Sequence, residues 1–158
     1  MAIESADLQA ELGQSRPFRS RRQEAAIALL RTADEVRRRL ASAVEPHGVT
    51  LQQYNVLRIL RGAHPDPLPT LDIRNRMIER MPGITRFLDQ LEGRGLVRRA
   101  RSAEDRRVVL CWITPAGLDL LAAMDDEVDR ADEASVGRLD EDELTRLIDL
   151  LGAVRTTG

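Results

Sequence analysis

Lysine is absent from this 158-residue chain, so its 24 basic side chains are all arginine. Cysteine occurs once, which rules out an intrachain disulfide framework and a clustered-thiol metal site. Aromatic residues number four (one Trp, one Tyr, two Phe), so a core must be built from Leu, Ile, Val and Ala. No apolar run approaches the roughly 18 residues of a membrane span, and no signal-peptide pattern opens the chain. A cytoplasmic protein that makes no contact with membrane is therefore expected. Histidine occurs twice, as His47 and His64, both near Pro- or Gly-containing loops. No Ser/His/Asp arrangement, H-E-x-x-H helix, Gly-rich phosphate loop or paired-Cys site is present, so neither an enzyme nor a metal or other cofactor is expected. The length suits one compact domain able to bury about 70% of its unfolded surface.

What is present concentrates between Thr70 and Gly117. Ile84, Phe87, Leu88 and Leu91 recur at i, i+3, i+4 and i+7, which predicts a helix over 82–92 with one apolar face. Pro82 suits its first helical position and Gly93 and Gly95 its end. A helix begun by Thr70 precedes it, with Asp72 placed for the helix dipole. Val108, Leu110 and Trp112 alternate with Val109, Cys111 and Ile113, a two-sided strand. The turn before it carries Glu104, Asp105, Arg106 and Arg107. Helix, turn, second helix and a basic-tipped hairpin form a winged helix-turn-helix pattern, mainly α with a small β-hairpin, expected to bind double-stranded DNA.

Charge follows the same division. The net charge of −2 conceals ten arginines against five acids from Arg74 to Arg107, and eleven acids against two arginines from Pro115 to Thr145. Local field, not total charge, governs attraction to phosphate. The acidic segment reads as a solvated helix face that could also keep DNA away. On the outward face of the second helix, Thr85, Arg86 and Gln90 are candidates for base contacts. Gly83 would let the helix N-terminus approach a phosphate. Arg106 and Arg107 should reach phosphates or the minor groove, with Asp105 orienting an arginine. Arg74, Arg76, Arg80, Arg98 and Arg99 read equally as phosphate contacts or as partners of Asp89 and Glu92. Cys111, alternating with Val109 and Ile113, reads as a buried structural thiol.

Around this unit, residues 1–19 read as a flexible arm, although Asp7–Leu12 could form a helical turn. An apolar stripe from Ile27 to Ala43 predicts a long helix over 20–44, stopped by Pro46 and Gly48. Thr50 and Gln53 have capping-box form and open a helix to about Arg61. Gly62–Pro69 reads as a loop. Thr114 and Pro115 open another helix, and Asp140 with Glu143 a last amphipathic one. The expected organisation is a DNA-binding domain over 49–114, with 20–48 and 115–158 helical and bearing stripes that need a partner.

The run GITRFLDQLEGRGLVRRARSAEDRRVVLCWITPAG, with GVTLQQYNVLRIL upstream, resembles the MarR family of bacterial transcription regulators. Thr85, Arg86, Asp89, Leu91 and Glu92 match its recognition helix; Gly95, Leu96, Val97 and Arg99 match the segment after it. Glu104 to Arg107 match the wing, and Ile113, Thr114 and Gly117 the exit. One departure is the start of the recognition helix, Arg80-Met81-Pro82-Gly83, where many relatives have Ser and Arg. The resemblance implies a homodimer whose first and last helices interlace, acting as a repressor on a palindromic operator. It also implies a small aromatic or phenolic effector, for which His47, Tyr54 and Arg58 are candidate contacts, a packed-core role for Tyr54 being the alternative. The competing function is a winged-helix module that binds protein instead of DNA.

Overall fold

The helix opened by Thr50 is the piece on which the helices and strands that follow are assembled. In the computed structural model, residues 7–80 and 82–156 are described. The Thr50 hydroxyl accepts from the Gln53 N–H, and the Gln53 side chain accepts from the Thr50 N–H, closing a reciprocal capping box. Two of the four N–H groups that a helix start leaves unpaired are thereby satisfied. In chain order the elements are α1 (Leu8–Glu11), α2 (Arg21–Val44), a 3-10 turn (Glu45–His47), α3 (Leu51–Ala63), β1 (Leu68–Pro69), α4 (Thr70–Arg76) and α5 (Ile84–Gly93). They continue with β2 (Val97–Arg101), β3 (Val109–Ile113), α6 (Pro115–Val136) and α7 (Glu141–Arg155). The chain divides into two compact units, Met1–Arg38 and Arg39–Gly158, with the boundary inside α2.

In the larger unit α3 packs on α4, α5, α6 and β3. Val56, Leu57, Leu60, Ile73, Leu88, Leu91, Cys111, Leu121 and Met124 form its centre, none more than 1% exposed. This core holds aliphatic side chains and one buried ring, Tyr54, as the scarcity of aromatics requires. Thr114 caps α6 by accepting from the Gly117 N–H, and Asp140 with Glu143 forms a second complete capping box on α7.

The structure departs from expectation at four places. The sheet has three antiparallel strands in the order β1-β3-β2, because Leu68 and Pro69, expected in a loop, pair with Cys111 and Leu110. Thr70 does not cap α4: Pro69 holds that position, and the Thr70 hydroxyl is bonded to the Val109 carbonyl. Asp7 caps a real helix over Leu8–Glu11, so part of the expected flexible arm is ordered, while Met1–Ala6 lie outside the described residues. Finally, α5 starts at Ile84, with Gly83 as its N-cap at φ 107° and Pro82 before it, not at the first helical position. A left-handed N-cap demands glycine and delays the helix by two residues. Met81, in the same departure from the family pattern, is outside the described residues.

Candidate nucleic-acid interface

The candidate DNA-reading surface is built outward from α5. Ile84, Leu88 and Leu91 are buried, which turns Thr85, Arg86, Asp89 and Gln90 to the exposed side. At its end the Gly95 N–H meets the Glu92 carbonyl and the Leu96 N–H the Leu91 carbonyl, with Gly95 left-handed at φ 71°. That Schellman pairing stops the helix and sends the chain directly into β2.

Two polar clamps hold the flanks of α5. On one, Arg99 of β2 bonds Asp89 Oδ1 at 2.5 Å and Glu92 Oε2 at 2.7 Å through Nη2, and Glu92 through Nε at 3.0 Å. The Arg99 side chain is only 19% exposed. Burial alone would lower its pKa, but hydrogen bonds to Glu92 and Asp89 outweigh burial and raise it. Of the two roles open for Arg99, the structure shows that of ion-pair partner, with Nε and Nη2 of its guanidinium bonded to Asp89 and Glu92. On the other flank Gln53 Nε2 donates to Gln90 Oε1 at 2.9 Å. Below α5, Asn55 Oδ1 accepts from the Ile78 N–H and Gln52 donates to Glu79, which fixes the approach to the helix.

The wing is ordered by its own turn. Ser102 Oγ accepts from the N–H groups of Glu104 and Asp105, and the Ser102 N–H donates to the Val108 carbonyl. The Asp105 carboxylate receives the Arg107 N–H at 3.0 Å and its Nε and Nη2 at 3.1 Å. Those side-chain bonds, then the backbone bond, lower the Asp105 pKa. Arg101 binds the Arg106 carbonyl, and the exposed Arg106 side chain has no ion-pair partner among the described residues. Arg74, Arg76 and Arg80 are likewise exposed, the first two in the last turn of α4. Arg98 lies 4.0 Å over the Trp112 ring, a cation–π contact on the opposite side of β2 from Arg99.

Thr85 and Arg107, separate in the sequence reading, line one cleft of about 570 Å³ with Thr70, Asp72 and Arg99. That cleft depends on β1 and α4 meeting the wing, for which the sequence carries no local signal. The candidate effector contacts fall elsewhere. His47 Nε2 is 2.6 Å from Glu127 Oε2, and the Arg61 guanidinium holds both Asp125 oxygens at 2.9 and 3.0 Å. Tyr54 is buried, as its packed-core reading requires. Burial raises its pKa against the opposing pull of nearby Arg58, which is exposed and bonded to it. Two acids of α6 that read as solvated are thus bound to the α3 region, a pairing invisible to helical periodicity. Cys111 is fully buried, with its pKa raised by desolvation. Among the described residues no group of three or more His, Cys, Asp and Glu is placed to hold a metal ion, and no helix is long and apolar enough to cross a membrane.

A helix-turn-helix whose second helix exposes a polar face, joined to an arginine-bearing β wing, defines a winged helix-turn-helix DNA-binding transcription regulator, not an enzyme. The MarR family model matches residues 49–109, which span α3 to the start of β3. A MarR transcription factor from Planctomyces limnophilus is 41% identical, with 87% of this chain and 99% of that one aligned at a TM-score of 0.67. This chain belongs to the MarR family. A mutant of MarR from E. coli, solved with operator DNA, shares the fold at 23% identity (94% and 99% covered, TM-score 0.75). NadR, solved with 4-hydroxyphenylacetate, is 25% identical (90% and 100% covered, TM-score 0.71). Among curated relatives, the HTH-type regulator YdgJ of Bacillus subtilis (strain 168) is 28% identical over 108 residues, 68% of this chain and 65% of its own length.

Proposed function

We propose that this chain is a ligand-responsive repressor that binds an imperfectly palindromic operator as a cytoplasmic homodimer. The observation that carries the reading is the exposed face of α5, with Arg86 and Gln90 unburied beside a wing whose Arg106 is unpaired among the described residues. In this reading residues 49–114 are the DNA-binding domain, and 20–48 with 115–158 the dimerisation region. Thr85, Arg86 and Gln90 enter the major groove, where a bidentate contact discriminates bases by roughly 1–3 kcal/mol. The first N–H groups of α5, opened by Gly83 and Pro82, face a phosphate. Arg106 reaches the neighbouring backbone or minor groove, Arg107 is steered by Asp105, and Arg74 and Arg80 meet flanking phosphates. Arg99 holds α5 against β2.

Dimerisation is supported by apolar side chains left in solvent: Leu30 on α2 at 73% exposure, and Ile148, Leu150 and Val154 on α7 at 65%, 58% and 57%. A two-fold dimer presents two recognition helices about one DNA turn apart, hence the palindrome. The 4-hydroxyphenylacetate bound by NadR makes a small aromatic acid the effector class to test, with His47 and Arg58 as contacts beside the buried Tyr54. The effector acts by favouring a dimer with wrongly spaced helices.

The test is fluorescence anisotropy with DNA from upstream of the protein's own gene, titrated at several salt concentrations against excess competitor DNA. Tight binding that weakens steeply with salt is expected, and release on adding a hydroxyphenyl acid supports the effector. Failure to bind this DNA or any sequence from a random pool would overturn the regulator reading in favour of a protein-binding module.

A further inference from the structure

Gln90 sits on the flank of α5 that faces α3, and its contact there has a direction that elementary hydrogen-bond chemistry dictates. A glutamine amide has one accepting and one donating end, whereas a backbone N–H can only donate. The Thr50 N–H, 3.0 Å from the Gln53 side chain, must therefore meet its oxygen. That leaves Gln53 Nε2 facing Gln90 at 2.9 Å, and a donating nitrogen requires Gln90 to answer with Oε1. The remaining end of Gln90, its Nε2, stands on an exposed side chain with no protein partner among the described residues. Gln53 itself is buried at 8% exposure and held at both ends, so it cannot flip without breaking the α3 cap.

We propose that Gln53 is a specificity-determining positioning residue, which sets the amide polarity of Gln90 so that the recognition helix offers an N–H donor to the DNA. The inference rests on Gln90 entering the major groove, as in the function proposed above. An untethered glutamine can turn either end to a base. With the relay in place, Gln90 Nε2 seeks an acceptor: N7 or O6 of guanine, O4 of thymine or N7 of adenine. Cytosine, which shows only its N4 donor in that groove, is the base rejected. The polarity of one base contact is thus inherited from a helix cap that never touches DNA.

The decisive substitution is Gln53→Glu. Glutamate at the third position keeps the capping box, because its carboxylate still accepts from the Thr50 N–H. It has no donor for Gln90, which must turn its own Nε2 inward and present Oε1 to the groove. Random-sequence selection with the full chain should show cytosine depleted at one position of each half-site for the wild type. Gln53→Glu should shift that position about tenfold toward cytosine or adenine, whose exocyclic amines donate, and leave the other positions unchanged. Gln53→Met, which preserves bulk without either polar end, should relax the preference there without reversing it, and keeps the test available if the glutamate variant fails to fold. Gln90→Ala should abolish the preference in both backgrounds. Because base preference is read, a uniform loss of affinity from the added negative charge does not enter. Selection of the same base by wild type, Gln53→Glu and Gln53→Met, or an unchanged preference in Gln90→Ala, overturns the relay while leaving the regulator reading intact. Failure of the wild type to select any sequence overturns both.

Discussion

Arg99 and Arg106 carry the same guanidinium and use it in opposite ways, and the difference lies in their neighbours. Arg99 is bonded by Asp89 and Glu92 and mostly covered, whereas Arg106 stands in solvent with its charge available. An arginine on a phosphate releases counterions and a buttress does not, so salt dependence separates them. Arg106→Ala should flatten the slope of log affinity against log salt by about 0.9 for each phosphate that Arg106 neutralises. Arg99→Ala should leave that slope unchanged and lower unfolding free energy by about 1 kcal/mol, since its partners are partly solvated. An equal drop in slope for both variants would return Arg99 to the phosphate contacts. Cys111 gives a second prediction at this scale. Its folded pKa is raised by burial, so it contributes stability that is full below the ordinary thiol pKa and is lost as pH rises through the folded value. At pH 8 the native thiol should react with Ellman's reagent at least about a hundredfold more slowly than in guanidinium, burial adding to the low thiolate fraction. A native rate equal to the denatured one would show that the wing strand opens freely.

Between elements, glycine decides where backbones touch. A Cβ built on Gly117 would lie 2.5 Å from the Leu96 carbonyl oxygen and 2.7 Å from Ile113 Cγ1, so the first turn of α6 sits directly on the wing strands. Gly117→Ala should lower the denaturation midpoint by an amount worth about 1–3 kcal/mol with the m-value unchanged; an unchanged midpoint would mean the turn shifts freely. The same scale explains how much could be read beforehand. The caps at Thr50, Thr114 and Asp140 were legible because a cap is settled among residues within four positions. The amphipathic face of α5 was legible for a similar reason, since its period is local. β1 was not: two residues ending in proline form a strand only because β3, far along the chain, supplies the partners. With β1 unseen, the Thr70 hydroxyl was given to its own helix when it serves the sheet. At the interface, the exposed residues of α5 followed from periodicity, but the ties from Gln53 to Gln90 and from Arg99 to Asp89 depend on which elements pack side by side.

For the molecule as a whole, charge is separated along the chain. The segment from Arg74 to Arg107 is basic and the segment from Pro115 to Thr145 strongly acidic, so of these two the first is the one whose local field favours phosphate. In the proposed dimer each copy of this surface would meet one half-site, and a single half-site would give modest affinity. Coupling two copies makes the second binding event nearly intramolecular and raises affinity without any new contact. The apolar side chains that α7 leaves in solvent are where this coupling can be tested without disturbing the core, because Ile148 and Leu150 are not buried in the single chain. Ile148→Asp with Leu150→Asp should leave helical circular dichroism intact and convert the sedimentation coefficient from that of a dimer to that of a monomer. Affinity for a full palindrome should fall on the order of 10²-fold, while affinity for an isolated half-site stays the same. If the double variant sediments as the wild type does, α7 is not the dimerising surface. If it becomes monomeric yet binds the palindrome unchanged, the two half-sites are not energetically coupled through dimerisation, and the palindrome loses its physical basis.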